Sequence, residues 1–253
     1  MKAVKVRDLI LGDGIPKICV PVIAHNFREL EHALEVLKES SYDLAEFRAD
    51  FYFEEEDLAL SAIRETVGNK PVLYTIRTME EGGEIEISDD SYRRRNLAAA
   101  RFADLVDVQL KRLHVQADNT QLHSDLVRRL HEAGTKVVIS WHDFEQTPEK
   151  EQLVETFCAM QREGCDIAKI AVMPGSRMDV LELMAASVEM LEEKAKVPFI
   201  TMSMGTLGKV TREAGAFTGS CVTFGTAGAM SAPGQIPADL LRKTLKALDA
   251  QGL

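Results

Sequence analysis

The chain has 253 residues, 45% of them hydrophobic and 28% charged, an ordinary soluble balance that supports a large core without disulfides or metals. Its formal net charge of -10 opposes non-specific attraction to nucleic acid or to anionic lipid, so neither partner is expected. Cys19, Cys158, Cys165 and Cys221 lack zinc spacing; with no signal-peptide pattern and no apolar run of roughly 18 residues, they point to a reducing, cytoplasmic setting without a membrane span.

The opening residues alternate polar and apolar side chains and meet Gly12 and Gly14, which predicts a short hairpin. Residues 17–24 then form a β-branched apolar run, and Asn26 is placed to cap a helix carrying Leu30, Ala33, Leu34 and Leu37 on one face. The same pair of signals recurs along the chain. Strand-like runs are YDLAEFRAD, PVLYTIR, LVDVQL, TKVVISWHD, DIAKIAVM, PFITMSM and SCVTFG, each followed by a helix-length segment. Pro148 suits the first turn of the fifth helix, while Gly208 and Gly215 interrupt the seventh. Short apolar strands separated by helices require parallel pairing, because each crossover must span the sheet. An open wound sheet and a closed barrel both satisfy this rule, and eight units favour closure. The expectation is an α/β chain forming one domain over residues 1–253: a closed (β/α)8 TIM barrel with an N-terminal β-hairpin before its first strand.

Charged residues at the C-terminal ends of barrel strands carry the functional signal. In the second strand a period of two puts Glu46, Arg48 and Asp50 on one face, where buried charges need mutual pairing or a polar ligand. A solvent-facing edge strand would show the same alternation. Arg77 ends the third strand, and the glycines after Glu81 allow that carboxylate to turn back over the mouth. His142 at the end of the fifth strand is suited to proton exchange near neutral pH, although a lone histidine is more often structural. Asp143 points away from His142 by strand parity, so Glu81 is the better candidate to orient the ring.

Lys169 stands within DIAKIAVM, with apolar residues on both sides. Burial there penalises the ammonium and favours the neutral amine that carbonyl addition needs. A lysine whose stem is covered and whose charge reaches solvent is the plain alternative. Near the C-terminus, Arg212 adds positive charge, and the Gly- and Ala-rich stretch 225–235 reads as a lid or a simple flexible loop carrying Ser231 and Gln235. No GxGxxG, GK[ST] or HExxH pattern is present, so no nicotinamide, nucleotide or metal cofactor is expected.

The stretches AEFRADFY, TIRTMEEGGE, SWHDF, DIAKIAVMP, FITMSMGTLGKVTREAGAFTGSCVTFG and SAPGQIP, in this order, resemble the type I 3-dehydroquinate dehydratases over nearly the whole chain. The resemblance implies dehydration of 3-dehydroquinate to 3-dehydroshikimate, a step of the shikimate pathway of aromatic amino acid biosynthesis, by a homodimeric lyase. It assigns the Schiff-base lysine to Lys169, the acid/base histidine to His142 and the carboxylate that positions it to Glu81. It further implies that Arg212 holds the substrate carboxylate, that Glu46, Arg48 and Arg77 surround the ring hydroxyls and the imine, and that Ser231 and Gln235 supply closing-loop contacts. Two departures stand out. Pro21 occupies a position where some members carry serine, which removes one possible hydrogen bond; Trp141 precedes HDF where other side chains are common, and parity points it outward. A class I aldolase-like Schiff-base lyase and a non-catalytic small-acid-binding barrel are the alternative functions.

Overall fold

The computed structural model describes residues 1–113, 120–228 and 232–249. β1 (Val4–Val6) and β2 (Leu9–Leu11) pair antiparallel as the predicted hairpin. Strands and helices then alternate through β3 (Lys17–Val22), α1 (Phe27–Lys38), β4 (Leu44–Arg48), α2 (Glu56–Val67), β5 (Val72–Thr75), α3 (Asp89–Ala99) and β6 (Leu105–Gln109). After the single turn α4 (Leu110–Leu113) come α5 (Thr120–Glu132), β7 (Lys136–Asp143), α6 (Lys150–Arg162), β8 (Ile167–Val172), α7 (Arg177–Glu189) and β9 (Phe199–Ser203). The chain closes with α8 (Lys209–Glu213), α9 (Gly215–Thr218), β10 (Val222–Thr226), β11 (Ile236–Pro237) and α10 (Ala238–Asp249).

Local chemistry accounts for several boundaries. Asn26 caps α1 by accepting the Glu29 N–H at 3.0 Å, as its position predicts. The glycine-interrupted seventh helix is two short helices, α8 and α9. Pro148 does not lie in the first turn of α6: Glu149 is the cap and the helix starts at Lys150, so the proline precedes it. The two-residue β11, which the sequence pattern does not reveal, adds to β10 in parallel.

The nine strands β3 to β11 form one curled parallel sheet in the order β11-β10-β3-β4-β5-β6-β7-β8-β9. Between β9 and β10 the described residues show one isolated parallel bridge, Phe199 with Ser220, and a Cys221 N–H bond to the Phe199 carbonyl at 2.8 Å. Side chains serve β9 along this seam. The Ser220 hydroxyl accepts the Thr201 N–H at 3.1 Å, and the Thr211 hydroxyl accepts the Ser203 N–H at 3.0 Å. These bonds satisfy donors that would otherwise be buried without partners.

Both faces of the sheet are covered, as expected of parallel strands. Outward side chains such as Phe47, Tyr74, Val137, Ile139 and Ile170 pack against the helices, and Trp141 joins that layer as its parity predicts. Inward side chains Leu44, Leu73, Leu105, Val138 and Ile167 form a separate apolar layer at the N-terminal ends of the strands. Val6 and Leu11 of the hairpin belong to this second layer, so the hairpin is its floor. Above it the inward positions become polar, and that change of character sets the site at the other end. Leu11 is fully buried, so Leu11→Ala is expected to cost about 2–5 kcal/mol of unfolding free energy. Denaturant titration measures the loss; a change below about 0.5 kcal/mol would remove the hairpin from the core.

Candidate active site

The period-two rule is realised strand by strand. Inward positions above the apolar floor hold Glu46 and Arg48 on β4, Thr75 on β5, Asp107 and Gln109 on β6, Ser140 and His142 on β7, and Lys169 on β8. All are buried, which excludes the solvent-facing edge reading of β4. Glu46, Arg48, Arg77, Glu81, His142, Lys169, Arg212 and Gln235 line one small cavity at the C-terminal end of the sheet. Ser231 lies outside the described residues. A roomier cleft lies beside α1, but its polar lining residues Arg28, Glu29 and His32 are exposed. Buried charge, rather than volume, marks the smaller cavity as the site.

Glu81 reaches the mouth through a short 3-10 turn, Met79–Glu81. Gly82 follows in the left-handed region at φ 78°, where a side chain would also strike the Phe144 ring. At Gly83 a Cβ would overlap the Arg77 carbonyl, because the chain folds straight back on the strand end. The turn is held by the Gln109 side chain, which accepts the Thr78 N–H at 3.0 Å and donates to the Thr78 hydroxyl at 3.1 Å. Glu81 Oε2 is thereby set 2.9 Å from His142 Nδ1, the pairing that strand parity favours over Asp143. Asp143 instead accepts the N–H groups of Glu145 and Gln146.

Lys169 is buried, but its amine is not left among apolar neighbours. Its flanking residues Ala168 and Ile170 face the helices, while Nζ lies 3.3 Å from Asp107 Oδ2 and 3.9 Å from Glu46 Oε1. The Phe224 ring centroid is 4.6 Å from the same nitrogen. Thr75 donates to Glu46 Oε1 at 2.8 Å. Arg77 donates to Asp107 Oδ1 at 2.8 Å and to Ser140 Oγ at 3.0 Å, and contacts Glu81 Oε2 at 3.4 Å. Arg48 pairs with Asp50 through two bonds of 2.9 and 2.6 Å. Asp107 and Thr75 were not among the sequence candidates. Asp107 carried a usable signal, an acid between valines with Gln109 two residues on.

Arg212 differs from the other buried cations. Its hydrogen bonds go to Met202 Sδ at 3.6 Å, the Phe224 carbonyl at 3.4 Å and the Pro233 carbonyl at 3.2 Å, none of them charged. Its Nε has no hydrogen-bond partner among the described residues, and burial pushes its pKa down to about 10. A carboxylate ligand would supply the missing counter-charge and a bidentate acceptor.

Burial is the main cause of the shift at His142, reinforced by Arg77, Lys169 and Arg48; together they hold the imidazole well below its ordinary value of 6.5. Burial also raises the Glu81 carboxyl, against the opposing pull of Arg77. Glu81 therefore orients the ring without making the imidazolium the resting form, and the neutral ring can accept a proton. The unfolded chain accepts a proton near pH 6.5 and the folded chain resists it, so this contribution is present above that value and is lost as pH falls toward the folded pKa. The His142 ring resonances are expected to titrate below pH 6.5 when followed by NMR; a midpoint at or above that value would contradict this electrostatic account.

The family model described as type I 3-dehydroquinase matches residues 18–251. A curated 3-dehydroquinate dehydratase of Syntrophotalea carbinolica is 47% identical, covering 99% of this chain and 100% of its own length. One from Clostridium kluyveri is 44% identical, covering 98% of each chain. The crystal structure of a type I 3-dehydroquinate dehydratase from Clostridium difficile, with covalently modified comenic acid, superposes with a TM-score of 0.92 at 38% identity over 99% of both chains. By the extent of these matches, the chain belongs to the type I 3-dehydroquinase family.

Proposed function

We propose that the chain dehydrates 3-dehydroquinate to 3-dehydroshikimate through an imine on Lys169, as a step in aromatic amino acid biosynthesis. The observation that carries this reading is the meeting in one cavity of a buried lysine, a buried imidazole paired with Glu81, and a buried arginine that, among the described residues, bonds to neutral groups. The family supplies the substrate, and the covalent ligand of the Clostridium difficile relative is in keeping with a site that forms bonds to small organic acids. In this reading the eight strands β3 to β10 make a single closed barrel domain, with the Phe199–Ser220 bridge as its seam.

Arg212 takes the substrate carboxylate and so fixes which ring face meets Lys169 and His142. Lys169 gives up a proton and its amine adds to the C3 carbonyl; loss of water leaves a protonated imine. That cation withdraws electrons from C2, and neutral His142 removes the C2 proton to give an enamine. Collapse of the enamine expels the C1 hydroxyl, which leaves as water with the proton His142 had taken. Hydrolysis of the conjugated imine frees 3-dehydroshikimate and the amine. One imidazole serves both transfers when the proton and the hydroxyl leave from the same face, a syn elimination. Glu46, Arg48 and Arg77 contact the ring hydroxyls, with Gln235 and Ser231 assigned to the closing loop. The chemistry uses only side chains of this chain. A homodimer is the expected assembly; Met178 and Leu181 on α7 and Phe217 on the neighbouring α9 are exposed apolar side chains available to a second copy.

Two variants test the reading. Lys169→Ala is expected to lose the borohydride-trapped mass adduct formed with 3-dehydroquinate, and a stoichiometric adduct in this variant would reassign the nucleophile. His142→Ala is expected to keep the adduct while losing about 10²–10⁴-fold in turnover, read from ultraviolet absorbance of the enone. Unchanged turnover would take His142 out of the proton transfers.

A further inference from the structure

Asp107 is fully buried behind the cavity lining, in contact with Lys169 and Arg77, and stands outside every motif that carries the family resemblance. Its two oxygens are divided between different cations. Oδ2 faces Lys169 Nζ at 3.3 Å, while Oδ1 accepts Arg77 Nη2 at 2.8 Å and the Ser140 hydroxyl at 2.6 Å. Arg77 Nη1 in turn meets Glu81 Oε2 at 3.4 Å, and that same oxygen holds His142 Nδ1 at 2.9 Å. A continuous buried path therefore runs from the amine to the imidazole, with Asp107 as the member that touches the lysine.

We propose that Asp107 is a positioning residue: it holds the Lys169 amine at the cavity wall, offsets the positive charge of its imine, and couples it through Arg77 and Glu81 to His142. This rests on the reading of Lys169 as the imine-forming group. A carboxylate present merely to neutralise Arg77 would have no need of the lysine, since Arg77 also contacts Glu81. Ser140 is the strand partner of Lys169 and donates to Asp107, so one inward pair on β7 and β8 sets both ends of the contact. Burial alone would raise the Asp107 carboxyl; Arg77, Lys169 and Ser140 outweigh it and keep the group ionised. The other groups facing the amine are Cys19 from β3, Glu46 and Arg48 from β4, Arg77 beyond β5, Glu81 on its turn, His142 from β7 and Arg212 from α8. Of the carboxylates, Asp107 is nearer to the amine than Glu46, at 3.3 against 3.9 Å.

The experiment uses 3-dehydroquinate with cyanoborohydride over a pH series, reading the rate at which the Lys169 peptide gains mass. Asp107→Asn preserves the side chain's size and removes its charge. It is expected to lower kcat about tenfold or more with a smaller change in KM, and to move the pH midpoint for trapping down by about one unit or more. Ser140→Ala removes a donor from the carboxylate, strengthens its hold on the ammonium and is expected to move the midpoint up. Opposite shifts support the proposal. A thermal destabilisation with both midpoints unchanged overturns it and leaves Asp107 a structural counter-ion. If Asp107→Asn does not fold, the direction of the Ser140→Ala shift decides alone, an upward shift supporting the proposal and any other result overturning it. Absence of a trapped Lys169 adduct in the unaltered chain would instead overturn the imine reading beneath it.

Discussion

Asp107 accepts an arginine, a serine hydroxyl and a lysine while removed from water, and this shared carboxylate allows so many charges to coexist inside the sheet. An unpaired ion in such surroundings is costly, and removing one partner of a buried pair is costlier than never having built the pair. Arg48 has Asp50, Arg77 has Asp107 and Glu81, and Lys169 has Asp107 and Glu46. Arg212, whose hydrogen bonds among the described residues go to neutral acceptors, departs from this rule. An acidic protein can thus attract a carboxylate, since its many surface acids are screened by water while the buried guanidinium is not.

The same electrostatic arrangement divides the two nitrogen bases. Lys169 is surrounded by carboxylate oxygens, whereas His142 is dominated by burial and neighbouring cations, with Glu81 fixing its orientation. The lysine is thereby held near partners able to stabilise positive charge on its nitrogen, and the imidazole is held where its protonated form is disfavoured. Environments that separate the behaviour of two titratable groups are a general means of assigning them different chemical tasks.

Much of this was legible in the sequence because parallel strands buried on both faces leave few places for a charge. Glu46, Arg48, His142 and Lys169 interrupt apolar runs at the parity of the inner face, and the alternation alone isolates them. Asp107 obeys the same rule, but its meaning depends on Lys169, 62 positions away, and no local pattern announces that meeting. The pairing of Glu81 with His142 spans 61 positions and depends on a glycine turn whose path is fixed by Gln109. The lysine's surroundings show the limit of local reading: its sequence neighbours are apolar, yet they face the helices, and its spatial neighbours are carboxylates. The seam chemistry of Ser220 and Thr211 and the addition of β11 depend on tertiary approach and leave no periodic trace.

The N-terminal hairpin has a consequence for traffic. Because Val6 and Leu11 stop the sheet with apolar bulk at one end, the cavity opens at the other, and in the proposed reaction that one opening serves reactant, product, the water lost on imine formation and the water that later cleaves the imine. Solvent access then becomes a matter of timing at one doorway. In the proposed reaction a ring seated against Arg212 would fill that passage during elimination, and its departure would readmit the solvent that frees the lysine.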